Sequence, residues 1–441
     1  MSETNATEGE GEQHSSVDAA DRFLALLLVF EVLLVAFTWP LWFTIDRFPA
    51  IPLLSAFGNV PAIVDQCLTI VMCIAGGMAA LRFRKGTVGR NGTPPNLLMW
   101  TSVVCGVLLV LLNQHRLQPW HWLFLLLVLQ ALLLPRPSWL AMFRLSLAAI
   151  YIYAAASRWG PDVDTGMSRQ VLAVVVNSIG NQHLMHNSTF VFVVCSIMSA
   201  VEFLTGICLL IPKLQRFGLL SSVVIHATLI FALSPFGLNH HLAVIVWNAF
   251  LLLAVVFLFS TRPAMSPLTE ARSGPALAKL FTGFVVIFPL TAYWGWADNW
   301  PSWQVYSPRP EVVRVHIHEA AVSELSPELS QFLGSPAALS EWYPFRIDRW
   351  ALATVSVPLY PEDRFQLAVA AQLRSCFSDP SSLQIGMLGS NRQAQLKARV
   401  GTFDGEKLAV QLQSFFFNAT VERRGEWRSR KAASLSGITD E

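Results

Sequence analysis

Charge is scarce in this chain. Only 14 % of its 441 residues are Asp, Glu, Lys or Arg, while 53 % are hydrophobic. A soluble domain carries about 25 % charged residues, so the deficit excludes an ordinary soluble globular protein. Cysteine is sparse and unpatterned. Cys67, Cys73, Cys105, Cys195, Cys208 and Cys376 form no Cys-x-x-Cys, and five of the six lie in apolar stretches. That argues against a dithiol redox centre and a cysteine metal site. No basic patch is interleaved with aromatics, which excludes nucleic acid as a partner. No phosphate-binding glycine loop, Gly-x-Ser-x-Gly or His-Glu-x-x-His motif occurs, so no standard enzyme class is signalled. The first 21 residues lack a basic segment followed by a cleavage site. The expectation is an uncleaved chain whose first apolar helix directs insertion.

What is present is long apolar blocks. A helix needs ~20 such residues to cross a bilayer core. Nine stretches qualify as candidates, at 23–43, 60–81, 97–112, 120–134, 139–156, 189–211, 217–233, 240–259 and 277–297. The third and fourth are short. The expected fold class is an all-α polytopic transmembrane bundle of about nine helices, with a small soluble α+β or mostly β domain at the C-terminal end. Residues 1–21, rich in Glu, Asp, Gly and Ser, read as a disordered acidic tail. Residues 22–299 read as the multi-pass domain and 300–441 as the extramembrane domain. "VVRVHIHEA" (Val312–Ala320) alternates with period two, as a strand does, and "WALATVSVPLYP" and "KLAVQLQSFFF" have strand composition.

Lys and Arg in short loops set orientation. Across nine spans, one side receives Arg22, Arg82, Arg84, Lys85, Arg90, Arg136, Lys213, Arg216, Arg262 and Arg272. The other receives Arg47, Arg116, Arg158 and Arg169. The N-terminus is then cytoplasmic, and an odd span count places the C-terminal domain outside a cell (inner) membrane.

In that orientation several polar residues gather at the outer face. They are Arg158, His183 and His186 from the 157–188 loop, and Asn239, His240 and His241 from the next, with Trp247 and Asn248 just inside the following helix. An aqueous mouth lined by Arg158, Asn239, His240 and His241 is expected. Deeper lie Glu202 and His226. Both stand 12 residues from Leu214, at the turn of their hairpin. That equals ~15–18 Å of helix on each arm, so the two share one depth. An ionisable residue there is a functional candidate that needs a partner. A Glu202–His226 hydrogen bond is the natural pairing, though helix rotation is not set by spacing. Glu31 is a third acid within an apolar span.

Three segments carry a family resemblance. "FRLSLAAIYIYAAASRWGPDVDTG" (143–166) resembles the opening of the HTTM domain, found in vitamin K-dependent gamma-carboxylase and its bacterial relatives. "VEFLTGICLLIPKLQRFGLLSSVVIHA" (201–227) is similar to both HTTM and DoxX/MauE-type membrane proteins. "GLNHHLAVIVWN" (237–248) resembles the outer segment of bacterial HTTM-like proteins. The resemblance covers about a quarter of the chain, 144–260, and implies a helical membrane core with its site near Arg158. An arginine stays protonated there and suits an anion rather than base chemistry.

Three functions are compatible with these features. One is an accessory or assembly protein whose external domain binds a protein partner. Another is a membrane-embedded enzyme acting on a lipid or quinone-like ligand. It would use Glu202, His226 and Arg158 as catalytic groups, and Asn239, His240, His241, Trp247, Asn248, His183 and His186 for binding. The third is a transporter.

Overall fold

The apolar blocks become helices, in this order: α1 (Glu3–Phe37), α2 (Trp39–Phe43), α3 (Ala62–Arg84), α4 (Pro95–Leu112), α5 (Pro119–Leu133), α6 (Arg136–Arg158), α7 (Gly166–Ser178), α8 (Ser188–Leu210), α9 (Gln215–Leu233), α10 (Leu242–Phe259), α11 (Pro267–Ser273) and α12 (Ala276–Ile287). Beyond them come β1 (Val312–His318), α13 (Pro327–Ser330), β2 (Trp342–Phe345), α14 (Ile347–Val355), α15 (Asp363–Arg374), β3 (Leu383–Leu388), β4 (Gly401–Phe403) and α16 (Gly405–Gln413). The computed structural model describes residues 3–43, 47–84, 95–260, 266–307, 312–388, 401–403, 405–421 and 423. At 3–19, 84, 95, 388, 401–403, 405 and 406 it describes the backbone alone. Lys85, Arg90 and Arg262, used above for orientation, lie outside the described residues.

Among the described residues, six helices are long and apolar enough to cross a membrane: Ala62–Phe83, α6, α8, α9, α10 and Ala276–Trp294. Asn96–Leu112 and Pro119–Leu133 are shorter apolar helices. The expected count of about nine is thus six by length and apolarity. The apolar half of α1 is interrupted by Asp21, Arg22 and Glu31. The acidic stretch 3–21 adjoins the apolar half. Its backbone continues α1 as helix. Extending a formed helix skips the nucleation cost, and Glu, Gln and Ala favour it.

Two units form. The helical unit comprises Met1–Phe37, Met72–Val104 and Pro119–Pro308. Within it α6 is central: 72 % of its span is buried, against 28 % for α8, α9 and Ala276–Trp294. Helix α8 lies against α6 at Gly206, where a Cβ would come 2.6 Å from Ile152 Cγ1 and 2.8 Å from the Ala148 carbonyl oxygen. Only glycine allows that approach. The α9–α10 turn is similarly tight, since a Cβ on Gly237 would sit 2.2 Å from the Ala232 carbonyl oxygen. Helix α7 appears where a loop was expected. Its buried Ser168, Val171, Leu172 and Val176 follow the i, i+3, i+4, i+8 spacing of one helical face.

The mixed unit comprises Thr38–Val71, Cys105–Gln118 and Arg309–Glu441. Its boundary therefore departs from the single tail 300–441 read from the sequence, because two upstream segments fold with it. The sheet has order β2-β1-β3-β4, all antiparallel. Val313, Val315, Ile317, Leu383, Ile385 and Met387 bury one face. Helix α15 packs there, and its Gln366 side chain accepts from the Val313 amide at 3.0 Å. The unit is α+β rather than mostly β. Both "WALATVSVPLYP" and "KLAVQLQSFFF" contribute helix, α14 and α16, where strands were expected. Buried Ile347, Trp350, Ala351 and Val355 lie at helical spacing. So do buried Leu408 and Leu412, a period that overrides strand propensity.

The turn Gln114–Arg116 holds this unit together, and all three side chains are fully buried. Gln114 Nε2 donates to the carbonyls of Pro52 (3.0 Å) and Asn418 (2.7 Å), and its Oε1 accepts from Arg364 Nε at 2.8 Å. Arg116 donates to the carbonyls of Leu41 and Trp42, both at 3.2 Å, and to Asp65 at 3.2 Å. Asp65 also takes Arg423 as an ion-pair partner. His115 Nε2 lies 2.8 Å from the Pro358 carbonyl oxygen. Burial pulls the His115 pKa down to about 4, with the Pro358 bond opposing and Arg116 adding to the fall. The unfolded imidazole, near 6.5, therefore binds a proton first as pH drops. Stability tied to His115 is complete above pH 6.5 and is lost as pH falls toward 4, at up to ~1.4 kcal/mol per pH unit. Melting curves between pH 7.5 and 4.5 should fall less steeply for His115→Gln, which keeps a donor for Pro358. Identical pH slopes would show that His115 does not set this dependence.

Candidate functional site

Helix α6 contributes to two polar contacts of the bundle. Tyr151 and Arg158 are seven residues apart and so share one face. On that face the structure builds two contacts. Arg158 forms an ion pair with Glu202 of α8, both side chains mostly buried at 12 % and 17 % exposure. Its Nε also donates to the Ala154 carbonyl at 3.1 Å. The glycine contact at Gly206, one turn from Glu202, lets the carboxylate reach α6.

Two turns deeper, Tyr151 Oη lies 2.6 Å from His226 Nε2, and His226 Nδ1 lies 3.2 Å from Asn248 Oδ1. All three residues are buried. Asn248 Nδ2 donates to the Val244 carbonyl at 2.8 Å, which turns its Oδ1 toward the imidazole. In the neutral ring Nδ1–H then donates to Asn248, and Nε2 accepts the Tyr151 hydroxyl. This tautomer follows from the network rather than from visible hydrogens. The arrangement polarises the phenol toward the imidazole, as a proton relay would.

The expected Glu202–His226 pair is therefore corrected. Equal depth in the hairpin does not make two side chains face each other; rotation decides. Glu202 turns to α6 and Arg158, while His226 sits between Tyr151 and Asn248. A permanent guanidinium is the stronger partner for a carboxylate in a dry site. Tyr151 carried no functional assignment in the sequence reading. Its i, i+7 relation to Arg158 was the available signal.

The outer residues do not converge. His183 and His186 are exposed on a short 3₁₀ turn. Asn239 is exposed and holds a left-handed backbone, φ 49°, at the α9–α10 turn. His241 caps α10, its Nδ1 accepting from the Ala243 amide at 3.4 Å. Burial lowers the pKa of both His240 and His241 below the ordinary value. Trp247 stacks on Phe250, ring centroids 6.0 Å apart. Arg158 points to Glu202 and not to this turn, so the mouth expected from Arg158, Asn239, His240 and His241 is not assembled as one cluster. Instead Tyr306 lies within electrostatic reach of Arg158. Burial pushes its phenol up to about 12, with Arg158 opposing. Among the described residues no group of three or more His, Cys, Asp or Glu could hold a metal ion.

Comparison with protein-family models, curated proteins and solved structures finds no match to this chain.

Double-mutant cycles on thermal stability in detergent separate the contacts. Arg158→Gln and Glu202→Gln should each destabilise, and together should cost less than their sum. The coupling energy should fall in the range of about 0.5–3 kcal/mol seen for contacting pairs. Tyr151→Phe with His226→Leu should couple likewise. Glu202→Gln with His226→Leu should be additive. Coupling in that last cycle, with none in the first, would restore the Glu–His pairing.

Proposed function

We propose that this is an HTTM-like integral membrane protein of the accessory or assembly type, in which the helical unit anchors the chain in the cell membrane and the mixed unit binds a protein partner outside it. The observation that carries this reading is the uncovered face of the four-stranded sheet. Residues at alternate positions, Arg314, His316, His318 and Gln384, stand opposite the packed face and remain exposed or half-exposed. Trp342 and Pro344 pair with His318 and His316 across β2 and share that side. A Cβ on Gly386 would meet nothing within 4 Å, so among the described residues no other segment covers the sheet there. The imidazole of His318 meets the Trp342 ring edge-on at 5.1 Å and the Glu341 carboxylate at 3.2 Å. A face with one arginine, two histidines and a tryptophan suits a partner surface that is acidic and aromatic.

Orientation belongs to the same proposal. The excess of Lys and Arg on one set of loops supports a cytoplasmic N-terminus. If all nine apolar helices cross, the mixed unit lies on the far side.

A second reading has its own observation. The Tyr151–His226–Asn248 chain, with Arg158–Glu202 on the same α6 face, has the parts of an intramembrane acid–base site for a lipid or quinone-like substrate. Against it stands the distribution of charge. Glu202 is neutralised by Arg158 and is not in hydrogen-bond contact with the imidazole it would need as a relay partner.

Photo-cross-linking tests the first reading. A photoreactive residue at Gln384 should give a discrete adduct in native membranes, one at Leu352 on the exposed side of α14 should not, and Arg314→Glu should abolish the Gln384 adduct. An adduct indifferent to Arg314→Glu, or the same adduct from Leu352, would sink the partner-face proposal. If Tyr151→Phe and Glu202→Gln abolish cellular function while the Gln384 adduct persists, the enzyme reading takes its place.

A further inference from the structure

One edge of the mixed unit carries no charge. Residues 48–64 and 408–420 contain no Asp, Glu, Lys, Arg or His. The fold brings these two stretches together. The Asn418 amide donates to the Leu53 carbonyl at 3.0 Å, and Asn418 Nδ2 donates to the Pro52 carbonyl at 2.9 Å. Gly58 packs so closely on Val421 that a Cβ there would clash with it. On this edge apolar side chains face outward. Phe416, two residues from Asn418, is 94 % exposed, and Leu54, next to Leu53, is 43 % exposed. Ile63, in the first turn of α3, is 59 % exposed. The loop is held from behind, since the Phe416 ring meets that of Phe417 at 5.1 Å and Phe417 lies against the Arg364 guanidinium at 5.2 Å. A lone exposed apolar side chain is ordinary, whereas a charge-free cluster marks a surface that something apolar covers.

What covers it follows from what the edge adjoins. The apolar helix Ala62–Phe83, long enough to cross a membrane, starts four residues after Gly58, a reach of at most ~14 Å. Where α3 enters a bilayer, that reach puts the Leu54 turn and Phe416 at headgroup level. Phe and Leu side chains bury themselves ~5–10 Å into the headgroup–acyl boundary, where a charged residue would not go. A protein partner finds charge to read on the sheet face, at Arg314, His316 and His318, and none here. Resting on the reading that the helical unit anchors the chain in a membrane, we infer that the 53–58 turn and the 415–418 loop dip into the leaflet from which α3 departs, with Phe416 as the inserted wedge. The mixed unit then touches the bilayer at a second point besides α3.

Spin-label depth measurements test the wedge. A nitroxide is attached to a ketone-bearing residue placed singly at Phe416, Leu54, Ile74 or Glu328 of the full chain, which leaves the six cysteines untouched. The chain is reconstituted in phosphatidylcholine nanodiscs. Power-saturation EPR then reads each label's access to oxygen, which collects in lipid, and to a water-soluble nickel chelate. Ile74 lies ~18 Å along α3 from Ala62 and is the lipid reference, while Glu328, exposed on α13, is the water reference. Labels at 416 and 54 should lose nickel access relative to 328 and gain oxygen access toward the value at 74. Phe416→Asp should return the label at 54 to the water value, with an unchanged melting temperature in detergent because the side chain is exposed. Water values at 416 and 54 beside a lipid value at 74 would overturn the wedge and leave the membrane reading standing. A water value at 74 would remove both. Exclusion of both reagents at 416 would mean that protein covers the edge, and a label at 54 indifferent to Phe416→Asp would mean that Phe416 does not hold it in lipid; either result defeats the proposal.

Discussion

The mixed unit depends on one buried carboxylate shared by two arginines. Asp65 receives Arg116 from the α4–α5 turn and Arg423 from the last described residue of the chain. The three side chains are at most 1 % exposed. One negative charge against two positive would leave an excess buried charge, which is expensive unless every donor is used. The carbonyls use them. Arg116 donates to Leu41, Trp42 and Leu109, and Arg423 to Val60 and Pro61. The Leu41 and Trp42 carbonyls lie in the last turn of α2, so Arg116 also satisfies acceptors that this helix end leaves open. Three segments far apart in sequence are thereby tied at one point, which is why 38–71 and 105–118 fold with the C-terminal region. Arginine is required for this: a lysine has three donors around one atom and could not reach carbonyls and a carboxylate in a planar fork.

In the helical unit the same problem has a different answer. In an apolar interior, a polar side chain gains from a partner on a neighbouring helix. The contacts fall where backbones approach closely. Gly206 brings α8 onto α6 beside the Arg158–Glu202 pair. Gly218 brings α9 onto α8, where its Cβ would meet Leu209 at 2.9 Å, and the Thr205 and Ser221 hydroxyls hydrogen-bond nearby at 2.5 Å. Small residues set the approach, and polar pairs then fix rotation and register. Removing one partner strands the other in an apolar medium, so each pair orients its helices more strongly than its net energy suggests.

How much of this was legible in the sequence follows from the range of each signal. Apolar run length is local, and the helices α3 to α6, α8 to α10 and α12 stand where the runs are. Period-two alternation is local too, and β1 stands at Val312–His318. The helices α14 and α16 were misread because Val, Thr and Phe suggested strands, although the buried positions carry helical spacing. Glu202 and His226 were placed at one depth but paired wrongly, since spacing along two helices gives level and not rotation. Asp65 with Arg423 and Glu31 with His121 are 358 and 90 residues apart. Nothing local marks such pairs. A sequence shows that a buried charge needs a partner, and only the fold says which.

Glu202 and Glu31, two of the carboxylates of the helical unit, have partners of different kinds. Glu202 is matched by Arg158, whose charge is permanent. The pair acts as a fixed link between α6 and α8. Glu31 is matched instead by the His121 imidazole, at 2.6 Å between α1 and α5. Spending both charges on architecture is sensible at Glu202, close to the glycine contact where α8 must not rotate. Each of these acids thus ties one pair of helices: Glu202 with Arg158 joins α8 to α6, and Glu31 with His121 joins α1 to α5.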